Sequence, residues 1–355
     1  MKRKVLLLAL VSWVFIGALA AAQEGLTPYA SIRYSTGIRY QDDDYGGEDF
    51  TFLQSPAGSR AGLRYRGDQF ELQAELRFNT QLGPGPVYLI WKPGDFSLLA
   101  GYTDAPTLYS SNISLFEFSH GGYGDSGIGR VPQIKAGYNI LGKTGVYIAL
   151  FETTGWSGIT NPGNKNPSRK DDPTRNVSPL PPFALGLDYN SGNISIGGGF
   201  AGSLFKADET TVTQGGSSTT YDTVNDFAMI AYLHGNIKFG APYIRFNAAF
   251  ERSRCTFGMS NGNKADNSAL EDNIVEGFLE FGYALDAVTF ALAGGYVRNL
   301  TNDDNRLAVG LTAAIPVQKR LRIIPGVIYY NELETGTVSS SGSRVDAGVK
   351  LQLDL

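Results

Sequence analysis

Apolar and polar residues alternate with a period of two in the clearest stretches of the chain. In residues 29–40 the even positions are Ala30, Ile32, Tyr34, Thr36, Ile38 and Tyr40, and the odd positions are Tyr29, Ser31, Arg33, Ser35, Gly37 and Arg39. Residues 70–79 set Phe70, Leu72, Ala74, Leu76 and Phe78 against Glu71, Gln73, Glu75, Arg77 and Asn79. The C-terminal stretch repeats this, with Val345, Ala347, Val349, Leu351 and Leu353 against Arg344, Asp346, Lys350 and Gln352. A helix would bring both classes onto each face, so these stretches are predicted strands. They exceed the roughly 5–6 residues usual in soluble sheets and match the roughly 9–11 that cross a bilayer when tilted. One apolar face for lipid and one polar face for a lumen is the pattern of a membrane barrel.

Connector lengths add a second signal. Short turns are predicted at 67–69, 93–95, 141–143, 190–192 and 234–235, and long polar segments at 41–58, 104–130, 152–182, 205–222, 251–272 and 331–343. Long and short connectors alternate. The prediction is an all-β fold, a transmembrane antiparallel β-barrel of about 16 strands with long external loops and short periplasmic turns. The stretches 87–92, 144–151 and 223–233 carry apolar residues on both faces, and losing one hairpin leaves about 14 strands. Closure satisfies every backbone N–H and C=O within hydrocarbon and leaves no free edge. Tyr29, Tyr40, Tyr65, Phe70, Phe78, Tyr102 and Tyr283 lie near strand ends and are expected in interfacial girdles.

The first residues are of another kind. Lys2, Arg3 and Lys4 precede an apolar run, which Ala20, Ala21 and Ala22 close. This is the layout of an export signal over residues 1–22, leaving 23–355 as one barrel domain of the bacterial outer membrane. Charged residues at 18% and aromatics at 12% exclude a disordered chain. A single cysteine, Cys255, excludes a disulfide scaffold. The formal charge of −4 becomes −7 without the three signal bases, 27 bases against 34 acids, so nucleic acid is not an expected partner. Outer-membrane lipid and lipopolysaccharide are the expected surroundings.

A barrel of about 16 strands is too wide for side chains to fill and encloses an aqueous channel. Arg33, Arg60, Arg64 and Arg77 are predicted near mid-height on the polar faces of the first three strands. Like charges repel unless acids or water compensate. Segment 104–130 supplies Asp104, Glu117 and Asp125, which would face the arginines if the segment folds inward. A transverse field at such a constriction orients small polar solutes and tunes ion selectivity. The other arrangement is a solvated wall in which Glu71 and Glu75 pair with the arginines and nothing narrows.

The stretches SRAGLRYRG at 59–67, FELQAELRF at 70–78 and GDFSLLAGYTDAP at 94–106 resemble the second, third and fifth strands of general Gram-negative bacterial porins. The resemblance implies an inward segment carrying Glu117 and Asp125, a basic wall of Arg33, Arg60 and Arg77, and a homotrimer. Such porins usually end in Phe, whereas this chain ends in Leu355.

Other motifs carry less. Gly197-x-Gly199-x-x-Gly202 matches a dinucleotide fingerprint, but no helical periodicity follows it, and small residues on a barrel wall fit better. His120, in the candidate inward segment, and His234, at a predicted turn, fall at opposite ends and cannot share a metal or a catalytic dyad. Ser119 beside His120 does not make a triad, since neighbouring residues point apart. Asp42, Asp43 and Asp44 read as a solvated loop rather than a site for divalent cations. No metal, cofactor or catalytic residue is expected. Two functions are carried forward. One is a passive porin for small hydrophilic solutes and ions. The other is a surface barrel acting as an adhesin or substrate-specific channel.

Overall fold

The computed structural model describes residues 25–41, 49–55, 59–78, 82–104, 130–151, 181–207, 210–214, 217–221, 224–253, 272–300, 305–333 and 342–355. Among these residues there are only strands and their turns. The strands are β1 (Leu26–Gln41), β2 (Asp49–Ser55), β3 (Ser59–Arg66), β4 (Phe70–Phe78), β5 (Leu82–Trp91), β6 (Phe96–Asp104), β7 (Arg130–Ile140), β8 (Thr144–Phe151), β9 (Phe183–Asn190) and β10 (Ile194–Ala207). They continue as β11 (Thr210–Gln214), β12 (Ser217–Tyr221), β13 (Val224–Lys238), β14 (Pro242–Ser253), β15 (Asp272–Ala284), β16 (Thr289–Asn299), β17 (Asn305–Gln318), β18 (Leu321–Leu333) and β19 (Gly342–Asp354).

Successive strands pair antiparallel from β3 to β10 and from β13 to β19, β10 pairs with β13, and β1 pairs with β19 from Ser31↔Asp354 to Gln41↔Arg344, which closes the sheet. On its other edge β1 meets β3 along residues 26–31 and β2 along residues 35–41. Strands β2 and β3 are therefore two halves of one wall position. The 17-stranded sheet is thus a closed barrel of 16 wall positions, and β11 pairs only with β12 as a hairpin above β10 and β13. The alternative of 14 strands is set aside, because the stretches with two apolar faces all pair in register.

Burial is inverted relative to a soluble protein, where large apolar side chains are inside. Ile32, Ile134, Leu187, Leu292 and Leu311 are about half exposed, while Ser35, Glu75, Glu280, Asp346 and Lys350 are buried. Such an outer surface requires hydrocarbon around it. At the turn end Phe70 and Tyr283, two of the residues expected in a girdle, are exposed outward together with Trp91, Phe96, Tyr138 and Phe290. Trp91 and Phe96 meet edge to face across one hairpin, 6.5 Å between centroids. Leu311→Arg, at mid-strand on the lipid side, is expected to cost about 2–4 kcal/mol of stability. Urea unfolding of the barrel in vesicles checks this, and an unchanged midpoint would place Leu311 away from lipid.

Three expectations are corrected. Tyr29 is not in the girdle: its hydroxyl donates to Glu75 Oε2 at 2.9 Å inside the barrel. His234 is not at a turn. Strand β13 continues to Lys238, and the chain turns at 239–241, so His234 lies buried on the inner wall. The Gly235 beside it, read as a turn signal, is a strand residue over which the Phe246 ring lies. Strand β5 begins at Leu82 rather than 87, and the register with β4 shifts between Ala74 and Leu76. A shift of that kind hides a strand from a strict period of two.

Candidate functional site

The inner wall is a continuous polar network where the first and last strands meet. Arg322 donates to Asp354 Oδ2 at 2.8 Å, and Ser31 Oγ donates to Asp354 Oδ1 at 2.7 Å. Arg33 Nε donates to Ser31 Oγ at 3.3 Å, and the Arg33 backbone exchanges bonds with Ser59 Oγ, both at 2.9 Å. Farther toward the loop end, Arg39 makes a bidentate contact with Asp346, at 2.8 and 3.0 Å, and Arg344 lies 3.5 Å from the same carboxylate.

Glu75 is the centre of the adjoining part. Register places Arg60 opposite Arg77 and Gly62 opposite Glu75. Glu75 reaches Arg77 at 3.0 Å and Arg60 at 3.7 Å, with its own side chain 1% exposed. Tyr29 links this cluster to the next, because Gln73 Nε2 donates to the Tyr29 hydroxyl at 3.0 Å and Arg64 donates to Gln73 Oε1. Tyr88 donates to Gln73 Oε1 at 3.0 Å, and Lys92 holds Glu71 at 2.8 Å. Glu71 also lies 3.9 Å from Arg66.

The structure thus brings Arg60 and Arg77 together on one carboxylate. Arg64 sits one inward position nearer the turn end than Glu75's partner Gly62, and Arg33 sits across β1. Asp104 pairs with Arg130 at 2.6 Å, joining the last residue of β6 to the first of β7. Glu117 and Asp125 lie outside the described residues, as do His120, Cys255 and the Asp42–Asp44 run. On β18, β19, β1, β3 and β4 the register turns nine described bases inward: Arg33, Arg39, Arg60, Arg64, Arg66, Arg77, Arg322, Arg344 and Lys350. Four described acids face inward there: Glu71, Glu75, Asp346 and Asp354. This wall is net positive although the chain is acidic.

The rest of the lumen differs. Val131, Phe151, Ile230 and Tyr232 form one inward apolar group on β7 to β13, and Ile274, Phe278, Val297, Ile328 and Tyr330 form another on β15 to β18. Tyr147 and Tyr232 meet hydroxyl to hydroxyl across β9 and β10. They can do so because Gly186 and Gly199, paired with each other, leave room above the backbone. Gly197 lies under His234, whose ring stacks on Tyr232 and whose Nε2 is 3.4 Å from Asp188. The dinucleotide-like glycines are therefore wall residues of β10. A charged wall faces apolar and aromatic ones around a closed lumen. The fold is that of an outer-membrane porin.

Comparison with solved structures supports that assignment of fold. The outer membrane channel DcaP of Acinetobacter baumannii matches with a TM-score of 0.63 at 16% identity, over 93% of this chain and 97% of that one. An anion-selective porin from Comamonas acidovorans matches with a TM-score of 0.64 at 12% identity, over 93% and 99%. OmpT, an outer membrane protein of Vibrio cholerae, matches with a TM-score of 0.54 at 15% identity, over 93% and 97%. No protein-family model and no curated protein matches the sequence.

Within this porin fold, several lumen residues were not singled out by sequence reasoning. Lys135, Tyr147, Tyr232 and Arg245 belong to them. Lys135 and Arg245 sit on the polar phase of their strands, whereas Tyr147 and Tyr232 lie on stretches with two apolar faces, and the facing glycines that make room for the rings lie on other strands.

Proposed function

We propose that this porin-fold chain is a passive outer-membrane porin, exported by residues 1–22, through which small hydrophilic solutes and ions diffuse. The inverted burial of a closed 16-strand wall carries this reading, because apolar residues face outward and a charged network lines the inside. Diffusion needs no nucleophile or general base, so no enzymatic role is assigned. The names of the similar structures, a channel and a porin, agree with it.

Arg33, Arg60, Arg64 and Arg77 form the basic side of the constriction. Segment 104–130 folds inward and brings Glu117 and Asp125 toward it. The Asp104–Arg130 pair joins the two strand ends from which the segment leaves the wall. Assembly as a homotrimer in lipid and lipopolysaccharide follows the resemblance of 59–78 and 94–106 to general porins.

The mature chain, folded in detergent and inserted into a planar bilayer, is expected to give large, stepwise, ohmic currents. A heat-modifiable β-rich protein with no conductance would sink the porin and leave a surface-binding barrel. For the inward segment, Glu117→Cys with Arg60→Cys, in a Cys255→Ser background, is expected to cross-link across the lumen through a long linker. Free labelling of position 117 from outside with no cross-link would remove the constriction and keep the pore. A substrate-specific channel is the second reading, favoured by the inward rings of Tyr29, Tyr88, Tyr147 and Tyr243. Block of the current by one solute at low concentration distinguishes it.

A further inference from the structure

One arrangement recurs three times on the inner wall. An inward glycine leaves a bare patch of backbone, a tyrosine of the adjacent strand lies over it, and a basic side chain stands over the ring. Gly62 of β3 underlies Tyr29 of β1, with Arg64 Cζ 5.2 Å from the ring centroid. Gly186 of β9 underlies Tyr147 of β8, with Lys135 Nζ at 4.1 Å. Gly282 of β15 underlies Tyr243 of β14, with Arg245 Cζ at 4.9 Å. A Cβ on any of these glycines would collide with the ring, so the flat pose depends on glycine.

The ring attracts the cation through its quadrupole and leaves the charge uncancelled. A carboxylate in the same place would neutralise it. The three sites differ in this respect. Arg245 has Glu280 at 3.6 Å. Arg64 is held by the neutral Gln73, at 3.0 and 3.2 Å. Among the described residues neither Arg64 nor Lys135 has a carboxylate at ion-pair distance.

We propose that Arg64 on Tyr29 and Lys135 on Tyr147 are anion-attracting sites of the lumen, and that the pore favours small anions over cations. This deepens the porin reading and rests on it. The two sites lie on different walls; Asp188 on β9 acts on Lys135 without reaching ion-pair distance and offsets part of its charge, while Arg64 faces only the neutral Gln73 at hydrogen-bond distance. The excess of bases on the β18-to-β4 wall acts in the same direction. Glu251, Glu276 and Glu280 on β14 and β15 oppose it, and Arg245 offsets the last of these. The net acidity of the whole chain does not set the sign. Selectivity follows the potential inside the pore, where low-dielectric walls focus the field, rather than the total charge.

The test is the reversal potential in a potassium chloride gradient across a planar bilayer. The unaltered pore is expected to pass chloride in preference to potassium. Arg64→Gln and Lys135→Gln are each expected to lower the chloride-to-potassium ratio about two- to threefold, the weight of about one kT of lumen potential, and the double variant more. Arg64→Lys keeps the charge and is expected to keep the ratio. Tyr147→Leu keeps Lys135 and removes its platform, so a fall in the ratio there assigns the effect to the sandwich. Lys319→Gln, on a turn, is expected to leave the ratio unchanged. Potassium preference in the unaltered pore, or a double variant with the original ratio, overturns the anion assignment and spares the porin. Absence of any conductance overturns both.

Discussion

Asp346→Ala is expected to lower the stability of the barrel by about 3–5 kcal/mol, the cost of breaking a buried ion pair from one side. The Asp346 side chain is 0% exposed, accepts two bonds from Arg39, and lies 3.5 Å from Arg344. Arg39 is on β1 and Asp346 on β19, and register sets them directly opposite each other. The pair therefore lies on the seam that closes the barrel, between residues far apart in sequence. Removing the carboxylate leaves two guanidinium groups facing each other without it. Urea unfolding in lipid vesicles, read by tryptophan fluorescence and by the mobility shift on heating, measures the loss. Arg39→Met in the same chain is expected to recover part of it, because one stranded charge is then gone. A loss below about 1 kcal/mol, the range of exposed pairs, would mean that the seam is held by its backbone ladder alone.

Glu75→Gln is expected to change stability and permeation together and is read in two ways. Glutamine keeps the shape and an acceptor for Tyr29, but it cannot neutralise Arg60 and Arg77, which approach Glu75 at 3.7 and 3.0 Å. The stability loss is expected at about 1.5–3 kcal/mol, the range for hydrogen bonds to charged groups. At the same time the lumen gains one unit of positive charge at mid-wall. Chloride permeation relative to potassium is expected to rise about two- to threefold, as a change of about one kT in lumen potential requires. The two readouts separate two roles of one carboxylate. A lost midpoint with unchanged permeability would make Glu75 purely structural and place the narrow part of the pore elsewhere.

Much of this architecture is legible in the sequence for one physical reason. A strand side chain points to one of two faces, so a period-two pattern states which residues meet lipid and which meet the lumen. Ile32 and Ile38 outward, with Arg33 and Arg39 inward, follow from that alone. Alternating connector lengths supply the up-and-down order, and the membrane's demand that every backbone group be paired supplies closure. The errors arose where a local signal competed with the pattern. Gly235, next to His234, resembled a turn but is the bare patch under Phe246. Tyr29 has a girdle residue's position near a strand end, yet its phase turns it inward to Glu75.

Face, approximate strand number and membrane setting were therefore determined by the sequence by itself. Partners were not. Which inward residue meets which depends on the register between strands, and a shift of one position would turn a whole strand's side chains to the other face. Only the tertiary structure set Asp346 against Arg39, gathered Arg60 and Arg77 on Glu75, and divided β2 from β3 along one edge of β1. Only it placed Gly186 under Tyr147, and so Lys135 over the ring. The sign of the lumen belongs with these. Charge composition sums over loops, mouths and wall alike, whereas a permeating ion responds to the few charges that closure turns inward.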